Sequence, residues 1–170
     1  MLFFTADTHF HHKRAIPLND RPFKDVDHMN SELIRRWNNR VTDNDTVVVL
    51  GDFCLAGVNK TRDIISQLNG EKILILGNHD VFNHKPNKWV EMGFRRVKHS
   101  GLLYGFGIAM SHYPYAGQEH DGRKFELALQ DGGMPLLHGH VHKQWTRKGR
   151  MFNVGVDVRD YEPKTLEELL

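Results

Sequence analysis

Short apolar segments that are followed at once by polar residues recur along the chain. Five such segments have the length and apolar content of a strand, and they lie at Leu2–Thr5, Thr46–Leu50, Lys72–Leu76, Phe106–Met110 and Pro135–Leu137. Thr46–Leu50 and Lys72–Leu76 contain uninterrupted apolar runs, as expected of strands that are covered on both faces. We therefore predict that these two strands lie in the middle of a sheet.

Helical patterns separate the first strands. Apolar residues from Val26 to Trp37 repeat with the spacing of one helical face, and Asp25 or Asp27 is placed to cap that helix. Two further helices are predicted, over Val58–Asn69 and Pro86–Met92. Strands that alternate with helices in this way indicate an α/β layer fold.

The second half of the chain is richer in short strands than in helices. Further strands are predicted at Phe94–Val97, Leu102–Tyr104 and Met151–Val156, a surface loop at Gly117–Gly122, and a tail, Thr165–Leu170, that is either a short capping helix or disordered. One mixed sandwich flanked by helices accommodates both halves. Because no linker or repeat divides the chain, we predict a single domain over residues 1–170.

The composition is that of a globular protein. The 170 residues are 39% apolar and 26% charged, and 23 basic against 21 acidic residues leave a formal charge of +2. This balance excludes a disordered chain and an electrostatic nucleic-acid binder, and no apolar stretch has the length of a membrane helix. A single cysteine, Cys54, excludes an internal disulfide, and the N-terminus does not resemble a signal peptide, so we predict a cytoplasmic location. The unusual count is histidine, with 12 residues.

Each of the five apolar segments predicted to be strands is followed by aspartate, asparagine or histidine residues. Because the loops at the carboxyl ends of strands converge in an open α/β sheet, we expect these side chains to meet at one site. The candidate metal ligands are Asp7, His9, Asp52, Asn78, His112, His140 and His142. Seven donors are too many for one ion and fit a dinuclear site with a bridging carboxylate. Oxygen and imidazole donors without thiolate suit Mn, Fe, Zn, Co or Ni, and disfavour a closed structural zinc site.

The charge of such a site favours an anionic substrate. Two divalent cations and two carboxylates leave about +2, which suits a phosphoester. Two cations can also generate a hydroxide at neutral pH and stabilise the oxygens of an in-line displacement.

Taken in chain order, these residues resemble the motif series of the calcineurin-like metallophosphoesterases. The family's D-x-H, G-D, G-N-H-D/E, lone H and G-H-x-H motifs correspond to Asp7-Thr8-His9, Gly51-Asp52, Gly77-Asn78-His79-Asp80, His112 and Gly139-His140-Val141-His142. The series spans residues 7–142, and five motifs in register are far more specific than any one of them. Residues 153–158 also resemble the closing strand of the small single-domain bacterial and phage members.

The resemblance implies both a fold and a division of roles among the residues. The implied fold is α/β, with two mixed β-sheets packed as a sandwich and flanked by helices in four layers, α/β/β/α. The implied centre holds two divalent metal ions, with Mn favoured and Fe, Zn, Ni or Co as alternatives. Asp52 would bridge the ions, with Asp7, His9 and His142 on one and Asn78, His112 and His140 on the other. His79 would be the catalytic partner, with Asp80 holding its ring.

The implied activity is phosphoester hydrolysis by a metal-bridging hydroxide, without a covalent enzyme intermediate. We predict a phosphodiesterase acting on small or nucleotide-type substrates, with a phosphomonoesterase as the alternative. Residues 51–57 lack the acidic and arginine residues that follow G-D in the protein serine/threonine phosphatases of the superfamily, which argues against a phosphoprotein substrate. The chain has no room for an inserted nucleic-acid-binding domain. His12 and Arg21, near the first motif, are the candidate substrate-binding residues, because a charged side chain there can meet a phosphate oxygen.

Two other classes of protein stay open at this stage. One is a non-catalytic scaffold of the same fold, although no predicted ligand is missing from this chain. The other is a metal-dependent hydrolase that acts on a bond without phosphate. We predict no membrane partner, and the sequence leaves self-association open. His138, beside the last motif, is more typical of a packed histidine than of an eighth ligand.

Overall fold

The computed structural model describes residues 1–117 and 127–170. Its strands are β1 (Leu2–Thr5), β2 (Thr46–Leu50), β3 (Glu71–Ile75), β4 (Arg96–Lys98), β5 (Ser100–Leu103), β6 (Ile108–Ser111), β7 (Leu136–His138), β8 (Arg147–Lys148), β9 (Met151–Asn153) and β10 (Lys164–Thr165). Its helices are α1 (Ala15–Leu18), α2 (Val26–Arg40), α3 (Val58–Gln67), α4 (Asn78–Asn83), α5 (Pro86–Met92) and α6 (Leu166–Leu169). Apart from Gly117, the loop predicted at Gly117–Gly122 lies outside the described residues.

The strands form two mixed sheets of five strands each. In the first sheet the order is β10-β1-β2-β3-β4, with β1 to β4 parallel and β10 antiparallel to β1. In the second sheet the order is β5-β6-β7-β9-β8, with β6, β7 and β9 parallel and the two edge strands antiparallel. β2 and β3 lie inside the first sheet, which confirms the prediction made from their apolar runs.

The first sheet is buried on both faces. Val47 and Val49 of β2 pack in the cluster that the sheet forms with the helices, whereas Val48 and Leu50 pack in the cluster between the two sheets. Successive side chains of a strand point to opposite faces, so a strand in this position needs an apolar residue at every step.

Helices α2, α3 and α5 pack against the outer face of the first sheet, and each contributes buried residues to its cluster. Asp25 begins α2 by accepting a hydrogen bond from the backbone N–H of His28 at 2.8 Å, which decides between the two predicted caps. Within the described residues, the outer face of the second sheet is covered by side chains from loops, including Tyr115, Leu129 and Trp145. The predicted sandwich of two mixed sheets with flanking helices is confirmed.

Several elements differ from the sequence prediction, and α1, β8 and β10 were not predicted. The strand predicted at Phe106–Met110 begins at Ile108, because residues 104–106 form a 3₁₀ turn that ends at Gly107 with φ +62°. The strand predicted over Met151–Val156 ends at Asn153. Helix α4, which was not predicted, begins directly within the motif Gly77-Asn78-His79-Asp80. The tail forms α6, the helical alternative of the two predicted for it.

The two sheets meet next to the predicted site. Ala6, just after β1, forms a parallel bridge with Gly155, just after β9, and the N–H of Val156 donates to the carbonyl of Ala6 at 3.0 Å. The carboxyl ends of strands from both sheets therefore face one common region. Among the described residues, no helix is both long and apolar enough to cross a bilayer.

Candidate metal centre

The structure brings the seven predicted ligands together in two adjoining groups. In the first group, ligand atoms of Asp7, His9 and His142 all lie within 4.8 Å of one another. In the second, Nε2 of His112 lies 3.1 Å from Oδ1 of Asn78 and 3.2 Å from Nδ1 of His140. Ligand atoms of His9, Asp52 and His79, and those of Asp7, Asp52 and His112, also lie within 4.8 Å of one another. The division into the two ligand sets that the motif resemblance implies stays a prediction.

Asp52 lies between the two groups. Its Oδ2 is 3.6 Å from Nε2 of His9, in the first group, and 3.5 Å from Nε2 of His112, in the second. Asp52 is therefore close enough to both groups for its carboxylate to share a cation with either of them.

Five of the seven side chains are carried by a backbone that is unusual for them. Residues other than glycine seldom adopt a positive φ, because Cβ then crowds the carbonyl oxygen. The values are +56° for Asp7, +51° for His9, +54° for Asp52, +71° for His140 and +47° for His142. Strain of this kind persists only where surrounding contacts enforce it, and it concentrates at functional sites.

In the three motifs that contain a glycine, this glycine leaves room for a ligand of another motif. A Cβ atom at Gly51 would lie 2.3 Å from Nδ1 of His112, and one at Gly77 would lie 2.3 Å from Oδ1 of Asp52. At Gly139 it would lie 2.5 Å from Oδ2 of Asp7. Any larger residue at these positions would push a ligand out of place.

Hydrogen bonds outside the ligand groups fix which imidazole nitrogen faces the site. Nδ1 of His112 lies 2.8 Å from the carbonyl oxygen of Leu50, which only accepts, so Nδ1 carries the proton and Nε2 keeps its lone pair for an ion. His142 is oriented in the same way by Asp157, whose Oδ2 is 2.8 Å from Nδ1. Nε2 of His9 is buried and has no hydrogen-bond partner among residues 1–117 and 127–170, as expected of an atom that is placed to bind a cation.

The electrostatics of the protein alone also fit bound cations. Burial raises the pKa of Asp7 to about 7 and that of Asp52 to about 6, because both carboxylates lie where water cannot stabilise their charge. Burial lowers the pKa of His112 to about 3 and that of His9 well below its usual range. Buried carboxylates beside imidazoles that stay neutral are stabilised in their ionised form by added positive charge, which divalent cations would supply. The donor set therefore fits divalent cations.

Sequence reasoning missed Asp157 as a residue of this site. Besides orienting His142, its two oxygens accept hydrogen bonds from Nε and Nη2 of Arg21 at 2.8 and 3.0 Å. The available signal was its position: a carboxylate shortly after the strand of residues 151–153, as at the other motifs.

The substrate-binding role predicted for Arg21 is wrong. Its guanidinium is buried, and its five N–H groups are all engaged. Besides the two bonds to Asp157, they reach the carbonyls of Asp7 and Thr8 at 2.7 and 2.9 Å and the sulfur of Met29 at 3.5 Å. Arg21 instead supports the backbone that carries Asp7 from the side away from solvent.

The role predicted for Asp80, holding the His79 ring, is also wrong. Oδ2 of Asp80 accepts from the backbone N–H groups of Gly77 and Asp52 at 2.8 and 2.7 Å, and Oδ1 accepts from that of Phe53 at 3.0 Å. The side chain reaches back across the first turn of α4, as acidic residues at the third helical position commonly do. Asp80 therefore joins the turn after β2 to the start of α4, and positions Asp52.

His79 and His12 lie at the accessible side of the site. The side chain of His79 is 38% exposed, its Nε2 is 3.9 Å from Oδ2 of Asp52, and its backbone N–H donates to Oδ1 of Asp52 at 2.9 Å. The His12 ring centroid is 5.5 Å from that of His79, and its Nδ1 is 3.1 Å from Nδ1 of His9. Burial and the neighbouring His79 lower the pKa of His12 to about 4. His138 is buried against Trp145, with ring centroids 4.7 Å apart.

The fold and the site define an α/β sandwich protein with a cluster of aspartate and histidine side chains suited to metal binding. No family model matches the chain. The uncharacterized protein MJ1445 of Methanocaldococcus jannaschii is 33% identical, over 98% of this chain and 87% of its own length. The Gene 66 protein of Mycobacterium phage L5 is 32% identical, over 91% and 86%. The chain belongs to the family that contains these archaeal and phage proteins.

Two solved structures have the same fold. The protein of unknown function AQ665 from Aquifex aeolicus matches with a TM-score of 0.73 and 27% identity, over 99% of this chain and 96% of that one. The nuclease MPE of Pseudomonas putida matches with a TM-score of 0.52 and 22% identity, over 83% of this chain and 60% of that one. At that identity, the likeness to the nuclease concerns the fold alone.

Proposed function

We propose that this protein is a metal-dependent phosphoester hydrolase with a dinuclear centre, of the calcineurin-like metallophosphoesterase type. The observation that carries the proposal is the position of Asp52, whose Oδ2 lies 3.5 Å from His112 on one side and 3.6 Å from His9 on the other. A carboxylate between two groups of oxygen and imidazole donors is the arrangement that a pair of divalent cations requires.

Each ion would have its own set of ligands besides Asp52. We assign Asp7, His9 and His142 to one ion and Asn78, His112 and His140 to the other. Oxygen and imidazole donors without thiolate suit Mn, which we favour, and also Fe, Zn, Ni or Co. Two bound cations supply positive charge for the phosphoryl oxygens and lower the pKa of water, so that hydrolysis needs no nucleophile from the protein.

His79 is the residue that we assign to proton transfer. It is exposed enough to meet a substrate, and its backbone N–H bond to Asp52 holds it beside the proposed bridge. From that position its imidazolium can stabilise charge on the phosphoryl group or donate a proton to the leaving oxygen. His12, whose ring is next to that of His79, is the remaining candidate for contact with the substrate.

A phosphodiester is the substrate class that we favour, in a small or nucleotide-type molecule, with phosphomonoesters as the alternative. The Pseudomonas putida protein of the same fold is named a nuclease. The substrates of nucleases are nucleic acids, which are phosphodiesters. We further propose that the chain acts as one domain in the cytoplasm.

Metal analysis and a general phosphodiesterase assay test the proposal together. Protein loaded with manganese is expected to hold two ions per chain and to hydrolyse bis-p-nitrophenyl phosphate, and Asp52→Asn is expected to lose both properties. A protein that binds no metal would instead be a scaffold of this fold. A protein that binds two ions without phosphoesterase turnover would be a hydrolase of another bond. Either result would refute the proposal.

A further inference from the structure

A cavity of about 600 Å³ lies beside the proposed centre, and no residue of the proposed mechanism accounts for it. Its lining includes His11, Asp27, Leu55, Gly57, Val58 and Lys60. Sites that bind small molecules commonly have volumes of about 300–1,000 Å³ and combine apolar walls with a few polar groups. The cavity therefore has the size and character of a subsite for one small organic group.

Two segments that carry predicted ligands form its walls. Phe10 and Cys54 form a parallel bridge, and the N–H of Leu55 donates to the carbonyl of Phe10 at 2.9 Å. One wall thus continues the segment after His9, and the other continues the segment after Asp52. Since consecutive Cα atoms are 3.8 Å apart, the Cα of His11 lies within about 7.6 Å of that of His9. A group attached to a phosphate at the centre can reach this distance.

The second wall is also fixed to the helix that carries His79. Nδ2 of Asn83 donates to the carbonyl of Ala56 at 3.0 Å, and Nε2 of His84 lies 3.0 Å from the same oxygen. Both residues are at the end of helix α4 or next to it, and Ala56 lines the cavity. The cavity is thus held in a fixed position relative to the proposed proton donor.

The polar groups of the cavity are both donors and acceptors. Asn30 accepts from the backbone N–H of His11 at 3.0 Å and places its Nδ2 3.2 Å from Nδ1 of that ring, so Nδ1 accepts and Nε2 carries the proton. His11 holds this place with a φ of +61°, an uncommon value for a residue other than glycine. Asp27 offers an acceptor and Lys60 a donor.

We propose that this cavity binds the base of a nucleoside that is esterified to the scissile phosphate. The inference rests on the proposed function and narrows its substrate class to nucleoside phosphodiesters. The apolar side chains of Leu55 and Val58 would contact the faces of the ring, and the polar groups would bond to its edge. A flat ring with N–H donors and carbonyl or ring-nitrogen acceptors matches both features, whereas an acyl chain would leave the polar groups unpaired.

Gly57 offers a way to fill the cavity without straining the backbone. Its φ is −66°, and a Cβ atom there would meet no atom of the described part of the chain within 4 Å. We expect Gly57→Trp to place a ring in the space that the base would occupy. Gly57→Ser is the matched control, because serine is small and is favoured at the position before the first turn of a helix.

Two substrates separate the cavity from the proposed centre. With manganese-loaded enzyme, Gly57→Trp is expected to lower kcat/KM for thymidine 5′-(p-nitrophenyl phosphate) by about 10-fold or more, mainly through KM. It is expected to leave kcat/KM for methyl p-nitrophenyl phosphate unchanged, because a methyl group does not reach the cavity. Gly57→Ser is expected to leave kcat/KM unchanged for both substrates. Equal losses on both substrates, or no loss on the nucleoside ester, would overturn the inference and leave the proposed function intact.

Equilibrium dialysis with thymidine 5′-monophosphate gives a readout that does not depend on turnover. Gly57→Trp and Lys60→Gln are expected to weaken binding, whereas Lys88→Gln, a change at an exposed lysine of α5, is expected to have no effect. If the metal-loaded protein hydrolysed neither ester, the proposed function would be refuted. Dialysis would then show separately whether the cavity binds the nucleotide. Binding that Gly57→Trp leaves unchanged would overturn the inference.

Discussion

Asp157 influences the candidate site through another residue. It accepts two hydrogen bonds from Arg21, and its Oδ2 holds Nδ1 of His142, so that the opposite nitrogen of that ring is left for a cation. Carboxylates that orient a ligating imidazole in this way fix its tautomer and raise its basicity. Asp157 is therefore a positioning residue.

Replacing Asp157 by asparagine should weaken metal binding while leaving the ligands themselves in place. We expect Asp157→Asn to reduce manganese affinity by about 10- to 100-fold, because an amide neither selects the tautomer nor balances the charge of Arg21. Isothermal titration measures the affinity, and thermal unfolding of the metal-free variant separates this effect from misfolding. Asp160→Asn, at an exposed carboxylate nearby, is the control. Unchanged affinity in Asp157→Asn would contradict the positioning role.

Removal of the His79 side chain should separate metal binding from turnover. We expect His79→Ala to keep its metal content and to lose about 10²-fold or more in kcat on bis-p-nitrophenyl phosphate, because proton transfer contributes on that scale. Metal analysis and steady-state kinetics of the same preparation provide the measurement. His99→Ala, at an exposed histidine, should behave like the unchanged protein. Full activity in His79→Ala would refute the assignment.

The candidate ligands could be picked out in the sequence because each follows a strand and all but the lone His112 belong to a short local motif. Arg21 and Asp80 were assigned incorrectly for a common reason. Their hydrogen-bond partners are backbone groups and side chains distant in sequence, such as Asp157 for Arg21 and Phe53 for Asp80. Proximity to a motif predicted their location near the site but not the direction in which their charged groups point.

At the scale of elements, tight turns after the strands bring the ligands together. Gly77 precedes helix α4, and a Cβ atom there would lie 2.3 Å from Oδ1 and 2.7 Å from the backbone nitrogen of Asp52. The turn before α4 and the turn after β2 are therefore in contact at the proposed bridging residue.

Gly77→Ala should disturb that contact. We expect a loss of about 1–3 kcal/mol in the free energy of unfolding, typical of an added methyl group in a packed region, together with weaker manganese binding. Urea denaturation and metal titration measure the two effects. At Gly105 an added Cβ meets nothing within 4 Å, so Gly105→Ala should change neither. A Gly77→Ala variant with native stability and native affinity would show that the turns are not as tightly packed as described.

The elements that could be predicted are those whose apolar pattern reflects their burial. β2, β3 and α2 have buried residues at the spacing of their secondary structure. Helix α4 was missed because Val81 and Phe82, its apolar residues, are exposed and form no buried stripe. The first turn of α4 depends on the hydrogen bond from the N–H of Gly77 to Asp80. The spacing of apolar residues gives no information about such a bond.

At the scale of the whole molecule, the buried carboxylates should make stability depend on pH and on metal. The pKa of Asp7 in the folded protein is about 7, above its ordinary value of 3.8, so the folded state binds more protons than the unfolded state between these values. The metal-free protein should therefore lose stability between pH 6.5 and pH 8, and Asp80, whose pKa burial raises to about 8, contributes in the same direction. His142, whose pKa is also raised, changes stability in the same direction.

Manganese should reverse this trend, because bound cations require ionised carboxylates and stabilise the folded state in proportion to their affinity. Thermal unfolding at pH 6.5 and pH 8, with and without manganese, provides the measurement. Asp7→Asn is the control, since it removes one of the titrating groups and should make the pH dependence of the metal-free protein shallower. A metal-free protein that becomes more stable over this range would contradict the description of the site.

The bridge between Ala6 and Gly155 has a consequence for how the protein is made. Asp7 and His9 leave the ribosome long before the bridge partner of their strand and the neighbouring β10, which are synthesised about 150 residues later. His140, His142 and Asp157 also come from this late part of the chain. We therefore expect nascent chains that stop short of residue 150 to have little ability to retain manganese, so that the ions are acquired only after translation has passed the second sheet.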